Sequence, residues 1–185
     1  AGLEIDTPSG RLRGAWAAWG AEDADGAANP PPIRVWRGIP YAQPPVGDRR
    51  WAPPQPHPAW TGVREAVVFG PDSVQAELPP SRAPRQDEDC LHLNVWSPAD
   101  ASPGSLPVMV WIHGGGFVGG SGADARSEGT RLAAQGVVVV SFNYRSGVFG
   151  WLAHPGLSAE SDHRVSGNWG LLDQLAALRW VRDHI

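Results

Sequence analysis

The chain has no lysine, a single cysteine and a single methionine among its 185 residues. All fifteen basic residues are therefore arginine, which excludes Schiff-base chemistry on a lysine within these residues. One cysteine cannot form an intrachain disulfide, so cysteine usage leaves the redox compartment open. Apolar runs such as Val137 to Val140 are far too short to cross a bilayer, and no charged-then-apolar signal segment opens the chain. We expect no membrane span and a soluble protein, either cytoplasmic or secreted.

Charge and histidine content exclude two further classes of function. Fifteen basic and nineteen acidic residues give a net charge of -4, and the arginines are scattered without a basic cluster, so we expect no nucleic-acid binding. The exclusive use of arginine fits high-GC coding and favours a bacterial source. No metal site is expected either, because four histidines show neither a short metal-ligand spacing nor a paired acid. These are His92, His154, His163 and His184.

The first third of the chain predicts short strands and irregular structure. Gly10 to Trp16 and Ile33 to Trp36 are predicted strands of a small antiparallel hairpin region around a loop rich in Ala, Gly, Asp and Pro. Prolines then dominate Pro40 to Pro58 and remove the backbone donors that a helix or central strand needs. We predict ordered irregular chain that wraps a sheet, because Trp51 and Trp60 would be poor residues to leave exposed; a disordered linker is the alternative.

The remaining chain alternates strand and helix patterns. Leu91 to Trp96 alternates apolar and polar residues, as a strand with one solvated face does. Val108 to Ile112 and Val137 to Phe142 are nearly continuous apolar runs, which predicts interior strands covered on both faces. Thr130 to Gln135 between them is a predicted short helix. The order of strand, crossover and strand predicts an α/β fold with the front half of a mostly parallel sheet, and no domain boundary.

A longer helix is predicted at the end of the sequence. Asn168 is a good N-cap residue. Apolar residues follow it at helical spacing, at Leu171, Leu175, Leu178, Val181 and Ile185.

The most informative stretch reads VMVWIHGGGF, from Val108 to Phe117. An apolar strand that runs directly into Gly114, Gly115 and Gly116 presents bare backbone amides at a sheet edge. Preorganised N–H donors in a water-poor pocket stabilise the negative charge that develops on a carbonyl oxygen during acyl transfer. Glycine lets those amides approach an ester closely. The pattern predicts an oxyanion site, and a strand followed by a flexible glycine turn is the alternative.

Four further blocks accompany this stretch in a fixed order. They are GIPYAQPPVGDRRW (38–51), EDCLHLNVWSP (88–98), VVVVSFNYRSGVFGWL (137–152) and GNWGLLDQLAALRWVRDHI (167–185). In this order the blocks resemble the type-B carboxylesterases, the family of bacterial carboxylesterases and cholinesterases on the α/β-hydrolase fold. The likeness runs from about residue 3 to the last residue.

The resemblance implies a serine esterase that cleaves a small-molecule carboxylic ester through an acyl-enzyme and needs no cofactor. In such an enzyme a G-x-S-x-G elbow supplies the nucleophile, followed in chain order by an acid and a histidine. The sequence contains no such elbow. Residues 1–185 are therefore expected to form a single partial domain, the N-terminal part of an esterase whose elbow and C-terminal part are absent. Alone it should be inactive and poorly folded, because its last strand would leave a sheet edge unpaired, and its partner would be the remainder of the esterase chain.

Site residues follow from the same resemblance. Gly115 and Gly116 match the family positions whose amides point at the oxyanion, and Gly114 supports the turn. His113 matches a position at which the family tolerates other residues, so we expect it to orient or pack and not to transfer a proton.

Two structural ion pairs are implied as well. Arg145 and Asp173 match a pair that the family buries behind the oxyanion region, and Arg50 and Glu88 match one that ties the proline-rich segment to the strand at Leu91. Losing one partner of a buried pair costs about 3–5 kcal/mol.

The resemblance also bears on a cysteine and on several aromatic residues. In the family, the cysteine at the position of Cys90 often pairs with one upstream, and the matching residue here is Ser73. Cys90 is therefore expected to be a buried free thiol.

Four aromatic residues could line a gorge or simply pack, and the loop Val118 to Ala125 could flex or form plain surface. The four are Phe117, Tyr144, Phe149 and Trp151.

Three alternatives remain open. The first is a non-catalytic adhesion or binding protein on the same fold, as in the neuroligin-like branch of the family. The second is an esterase like hormone-sensitive lipase, which shares the HGGG run but not the EDCLHLNVW and GNWGLLDQ blocks. The third is one half of a nicked or split enzyme whose second polypeptide supplies the triad.

Overall fold

A computed structural model describes residues 3–19, 30–76 and 81–185. The strands are β1 (Glu4–Thr7), β2 (Gly10–Arg13), β3 (Ala15–Trp16), β4 (Ile33–Pro40), β5 (Val63–Glu65), β6 (His92–Pro98), β7 (Val108–Ile112) and β8 (Val138–Phe142). The helices are α1 (Thr130–Ala133), α2 (Gly147–Trp151), α3 (Pro155–Glu160) and α4 (Trp169–His184), and short 3₁₀ turns occur at Gly47–Arg49 and Ala125–Ser127.

The N-terminal strands divide between two sheets. β1 and β2 form an antiparallel hairpin, and β5 adds parallel to β2 to give a three-stranded sheet. β3 pairs antiparallel with β4 in a second, larger sheet. The predicted strand Gly10 to Trp16 is therefore two strands, broken at Gly14, where an added Cβ would meet the backbone of Val35 and the ring of Trp36. The loop of the predicted hairpin lies largely outside the described residues.

The larger sheet has the order β3-β4-β6-β8-β7. Its β3–β4, β4–β6 and β6–β8 pairs are antiparallel, and only the β7–β8 pair is parallel. The α/β class is as predicted. The described part of the sheet is nevertheless mixed and not mostly parallel, because only β7 and β8 are joined by a crossover that carries a helix, α1.

Burial along two strands, β6 and β7, differs from the prediction. β6 is buried on both faces, since Asn94 turns inward and donates from Nδ2 to the hydroxyl of Ser141 at 3.0 Å. Asn94 Oδ1 also accepts from Gly38 N, at the bulge of β4. β8 is buried throughout, as expected for an interior strand. β7 is instead an edge strand, and four of its five residues are exposed.

The predicted C-terminal helix is confirmed, but a different face is buried. Asn168 occupies the N-cap position of α4 without a side-chain hydrogen bond to the helix. The buried positions are Trp169, Gly170, Asp173, Ala177, Trp180 and Val181. Leu171, Leu175 and Leu178 are exposed. Helical spacing identified the helix, whereas the tryptophans and the ion pair described below decide which side packs on the sheet.

The proline-rich segment is ordered, as predicted. Trp51 stacks against Phe149 of α2 with ring centroids 6.4 Å apart, and its Nε1 donates to the carbonyl of Val148 at 3.0 Å. Trp60 packs against the main core and donates from Nε1 to Arg11 O at 2.9 Å. The segment thereby ties α2 and the small sheet to the core of the large sheet.

Candidate functional site

The glycine loop, which we define as Gly114 to Gly120, is separated from the end of β7 by one residue, His113. Gly115, Gly116 and Gly120 have φ values of +130°, +59° and +127°, in regions that L side chains rarely adopt. An added Cβ at Gly115 would also overlap the carbonyl oxygen of Gly119, whereas nothing lies within 4 Å of the corresponding position at Gly116. Phe117 joins them with φ +67°. The backbone path of this loop therefore requires glycine at several points.

The N–H groups of Gly115 and Gly116 are available to a ligand. Both residues are exposed, and across the described ranges neither amide has a hydrogen-bond acceptor. The loop is held by other groups, since Val118 N donates to Gly115 O at 3.1 Å and Gly147 N donates to Phe117 O at 2.7 Å. Two adjacent free amides on a fixed backbone are the arrangement that stabilises an oxyanion.

A cavity of about 580 Å³ adjoins the loop. Its walls are the end of β7, the glycine loop, the segments 72–76 and 81–86, and the residues from Gly120 to Ser127. Gly114 and Gly115 contribute to the lining, but Gly116 does not. Charged side chains also line it: Arg126 and Asp124 form an ion pair, and Arg85 pairs with Asp87.

His113 is buried at the junction of β7 and the glycine loop. Its Nδ1 lies 3.0 Å from Gly114 O, and because a carbonyl oxygen only accepts, the proton of the neutral ring lies on Nδ1. Nε2 is buried and has no partner among the described residues. The ring stacks on Tyr144 with centroids 4.2 Å apart, and Tyr144 Oη donates to His113 O at 2.9 Å. Burial lowers the pKa of His113, so the neutral ring supports the loop by packing.

Arg145 and Asp173 form a buried, bidentate ion pair. Arg145 Nε and Nη2 each lie 2.8 Å from a carboxylate oxygen of Asp173, and the backbone N–H of Arg145 donates to the same carboxylate at 3.1 Å. Burial raises the pKa of Asp173, and the three hydrogen bonds from Arg145 oppose that effect. Arg145 directly follows Tyr144, so the pair fixes the backbone beside the residue that stacks on His113.

Arg50 and Glu88 are also in contact, but the pair is more exposed. Arg50 donates from Nε and Nη2 to the carboxylate of Glu88, both at 2.6 Å, and 39 % of the Arg50 side chain is accessible. The Arg50 guanidinium also lies 5.7 Å from the centroid of Trp51 and 5.9 Å from that of Phe149. The cost of losing a buried pair does not apply here, because solvent screens these charges.

The aromatic residues that could line a gorge do not line this cavity. Phe117 is exposed and contacts Trp151 with ring centroids 4.3 Å apart, Tyr144 is buried against His113, and Phe149 stacks on Trp51. Trp111, the penultimate residue of β7, lines the cavity instead. The apolar pattern of β7 predicts burial on both faces. It therefore does not reveal that Trp111 is accessible, which follows from the position of β7 at the edge of the sheet.

Sequence reasoning also missed Asp72 and Gln75, which lie on either side of Ser73. Asp72 is buried and accepts from Ser121 Oγ at 2.5 Å. Gln75 makes two hydrogen bonds with the backbone of Gly120. Both residues lie in irregular chain, where no periodicity marks a contact across the molecule. Ser73 itself accepts from Ser146 N at 2.9 Å, and burial raises the pKa of the neighbouring Cys90 thiol.

Comparison with known proteins places these features in a family. The family model described as the carboxylesterase family matches residues 1–185. The chain belongs to the carboxylesterase family. It is 55 % identical over 155 residues to a fumonisin B1 esterase of Sphingopyxis macrogoltabida, covering 83 % of this chain and 29 % of that protein. It is 48 % identical over 158 residues to a para-nitrobenzyl esterase of Bacillus subtilis, covering 83 % and 31 %.

Solved carboxylesterases share the architecture. A crystal structure of a Geobacillus stearothermophilus carboxylesterase superposes with a TM-score of 0.81 at 46 % identity, covering 99 % of this chain and 35 % of that one. The sheets and helices described above therefore form part of an α/β-hydrolase fold. The chain spans about a third of the length of the relatives that it matches. Within the described residues, no helix is long and apolar enough to cross a membrane and no group of three potential metal ligands occurs.

Proposed function

We propose that the protein containing this chain hydrolyses carboxylic esters, with the N–H groups of Gly115 and Gly116 as two donors of its oxyanion hole. One observation carries the proposal: two adjacent glycine amides are exposed beside a cavity and have no acceptor in the described chain. An ester carbonyl placed there would gain negative charge as a nucleophile attacks it, and the two donors would stabilise that charge in the transition state.

The nucleophile is proposed to be a serine outside residues 1–185, so that these residues form one part of a larger domain. Three hydroxyls line the cavity, those of Ser81, Ser121 and Ser127, but none of them is hydrogen-bonded to a histidine. Ser121 and Ser127 instead donate to Asp72 and to backbone carbonyls. A serine without an adjacent base is a weak nucleophile.

A hydrogen-bonded serine and histidine do occur elsewhere in the described chain. Ser9 Oγ lies 2.9 Å from His184 Nε2, and His184 Nδ1 lies 2.8 Å from Trp180 O, which makes Nε2 the acceptor. Neither Ser9 nor His184 lines the cavity beside the glycine loop. We assign this pair to packing at the end of α4, where His184 also stacks on Trp180 at 4.2 Å.

The open edge of β7 fits the same proposal. A strand from outside these residues would pair parallel with β7. The carboxyl end of that strand would then lie next to the glycine loop, because the loop follows the carboxyl end of β7. The exposed apolar side chains of β7, among them Met109 and Ile112, would then be covered.

A fluorophosphonate probe tests the proposal. The complete gene product should hydrolyse p-nitrophenyl acetate and be labelled at a serine outside residues 1–185, as mapped by peptide mass spectrometry. The isolated 185-residue chain should remain unlabelled, and Ser9→Ala should leave both the labelling and the hydrolysis by the complete protein unchanged. Labelling of the isolated chain, or of Ser9, would overturn the external nucleophile. A complete protein that neither hydrolyses the ester nor reacts with the probe would favour a non-catalytic binding protein.

A further inference from the structure

The side-chain amide of Gln75 clamps one residue of the glycine loop. Gly120 N donates to Gln75 Oε1 at 2.6 Å, and Gln75 Nε2 donates back to Gly120 O at 2.9 Å. Gln75 Nε2 also donates to Ser73 O at 3.0 Å, and Gln75 N donates to Gln86 Oε1 at 3.0 Å. The amide therefore satisfies both backbone groups of Gly120 while its own chain segment is held in place.

Gly120 is packed tightly against the first part of the same loop. With φ at +127°, an added Cβ on Gly120 would overlap both His113 Nδ1 and Gly114 O. Gly115 is in turn so close to Gly119 that a Cβ there would overlap the Gly119 carbonyl. The loop folds back on itself, so a shift of Gly120 must displace the backbone that carries the two free amides.

Other contacts hold different points of the loop. The stacked ring of His113 fixes its start, and the hydrogen bond from Gly147 N to Phe117 O fixes its tip. At its end, Gln75 is the hydrogen-bond partner of Gly120 within the described residues. Removing the Gln75 amide releases the end of the loop, and the released end acts on the two amides through the close contacts of Gly120 with Gly114 and of Gly119 with Gly115.

We propose that Gln75 is a positioning residue for catalysis, which sets the direction of the Gly115 and Gly116 amides through its clamp on Gly120; the proposal rests on the oxyanion function proposed above. Gln75 does not touch the reacting atoms. Gln75 acts through N–H donors that stabilise the transition state, so loss of the Gln75 amide lowers kcat and leaves KM nearly unchanged.

Two substitutions of similar size separate the two halves of the clamp. Gln75→Met removes both hydrogen bonds to Gly120 and the one to Ser73 O, and it keeps an unbranched side chain. Gln75→Glu keeps the acceptor for Gly120 N–H. Its second carboxylate oxygen replaces Nε2 and repels the carbonyl oxygens of Gly120 and Ser73. Protonation of that carboxyl restores one donor, so the Glu variant should regain activity as the pH falls. Gln43→Met is the matched control, because Gln43 Nε2 donates to Pro56 O in the proline-rich segment.

The experiment measures kcat and KM of the complete protein and of each variant against p-nitrophenyl acetate. It also measures inhibition by a trifluoromethyl ketone, whose tetrahedral adduct places an oxyanion in the hole. In both Gln75 variants we expect kcat to fall about 10- to 100-fold with KM within a factor of about two, because small misplacements of catalytic groups have effects of this size. The affinity for the ketone should fall in parallel with kcat. Gln43→Met should match the wild type.

Several outcomes overturn the proposal. They are a kcat within a factor of about two of wild type in Gln75→Met, an ester KM that rises as much as the ketone affinity falls, and a Gln75→Glu variant whose relative activity does not rise at lower pH. Unfolding midpoints identify a variant that does not fold, and if Gln75→Met is such a variant, Gln75→Glu decides. An inactive wild type would overturn the esterase function itself, whereas an active wild type with unaffected variants would overturn only the role of Gln75.

Discussion

Asp173 holds Arg145 by both its side chain and its backbone. The carboxylate accepts from Nε, Nη2 and the amide N–H of Arg145, and both residues are almost inaccessible to solvent. The carbonyl of Arg145 is also enclosed, because an added Cβ at Gly150 or Gly170 would overlap it. The ion pair therefore joins α2, α4 and the end of β8 at one point, next to the tyrosine that packs under the glycine loop.

Asp173→Asn should destabilise the complete protein strongly. The substitution leaves the Arg145 charge buried without a counter-ion, which costs about 3–5 kcal/mol. Asp183→Asn is the control, since Asp183 pairs with Arg182 on the surface, where 73 % of the arginine side chain is accessible. Urea unfolding should show a large drop in midpoint for Asp173→Asn and little change for Asp183→Asn. Similar midpoints for the two variants would contradict the assigned role.

His113 should make folding less favourable in acid. Burial lowers its pKa in the folded protein, against partial compensation from Gly114 O, Asp72 and Asp124. The unfolded chain, with a histidine pKa of about 6.5, then binds the proton more readily. The contribution of His113 to stability is complete above about pH 6.5 and is lost as the pH falls toward the folded pKa. The pKa of His92 is lowered in the same direction, so it adds to the slope.

His113→Phe tests this dependence, because phenylalanine keeps the stacking on Tyr144 and cannot titrate. The free energy of unfolding, measured in urea from pH 7.5 to 5.0, should fall less steeply for the variant than for the wild type. Two parallel curves would show that His113 is not a source of the acid sensitivity.

Gly115→Ala and Gly116→Ala should have different consequences. At Gly115 the new methyl overlaps the Gly119 carbonyl and the backbone angle is unfavourable, so we expect both stability and esterase activity to fall. At Gly116 space is open and φ is +59°, so strain of about 1 kcal/mol is the main cost. Gly116→Ala should fold normally and still lose kcat, since the methyl hinders the approach of the ester. Full activity in Gly116→Ala would argue against an oxyanion role for its amide.

Ser73→Cys should form a disulfide with Cys90. Ser73 and Cys90 are both buried and line the same small cavity, and burial raises the pKa of the Cys90 thiol, so the wild-type cysteine stays unreactive. Closing this loop should stabilise the oxidised variant by about 3 kcal/mol, less the hydrogen bond that Ser146 N loses. Relative to the wild type, thiol titration should find one free thiol fewer in Ser73→Cys and one more in the control Ser105→Cys, whose exposed side chain lies in a separate turn. One free thiol more than the wild type in Ser73→Cys would contradict this placement.

The sequence predicts most elements of this fold because their patterns are local. Helical spacing after Asn168 and the apolar runs before and after Thr130 are sufficient to identify α4, β7 and β8. The resemblance to the carboxylesterases pairs Arg145 with Asp173 and Arg50 with Glu88, and the structure brings each pair into contact. Local patterns also anticipate that Gly115 and Gly116 need an unusual backbone.

Position within the sheet is what the sequence does not predict. An edge strand and an interior strand have the same apolar composition here, so the exposure of β7 and of Trp111 depends on which strand lies beside them. The buried face of α4 is set by Trp169, Trp180 and Asp173 and not by its leucines. Gln75 and Asp72 act through hydrogen bonds between distant irregular segments, and such contacts follow no periodic rule.

The order of the central strands has a consequence for synthesis. β7 is translated before β8, yet β8 is its only neighbour among the described strands. At bacterial and eukaryotic elongation rates, Val108–Ile112 emerges about 2–6 s before its partner is complete. During that interval a strand with Val, Met, Trp and Ile side chains has no sheet to join, and one of its edges stays open even afterwards. This segment is where we expect a ribosome-associated chaperone to bind the nascent polypeptide.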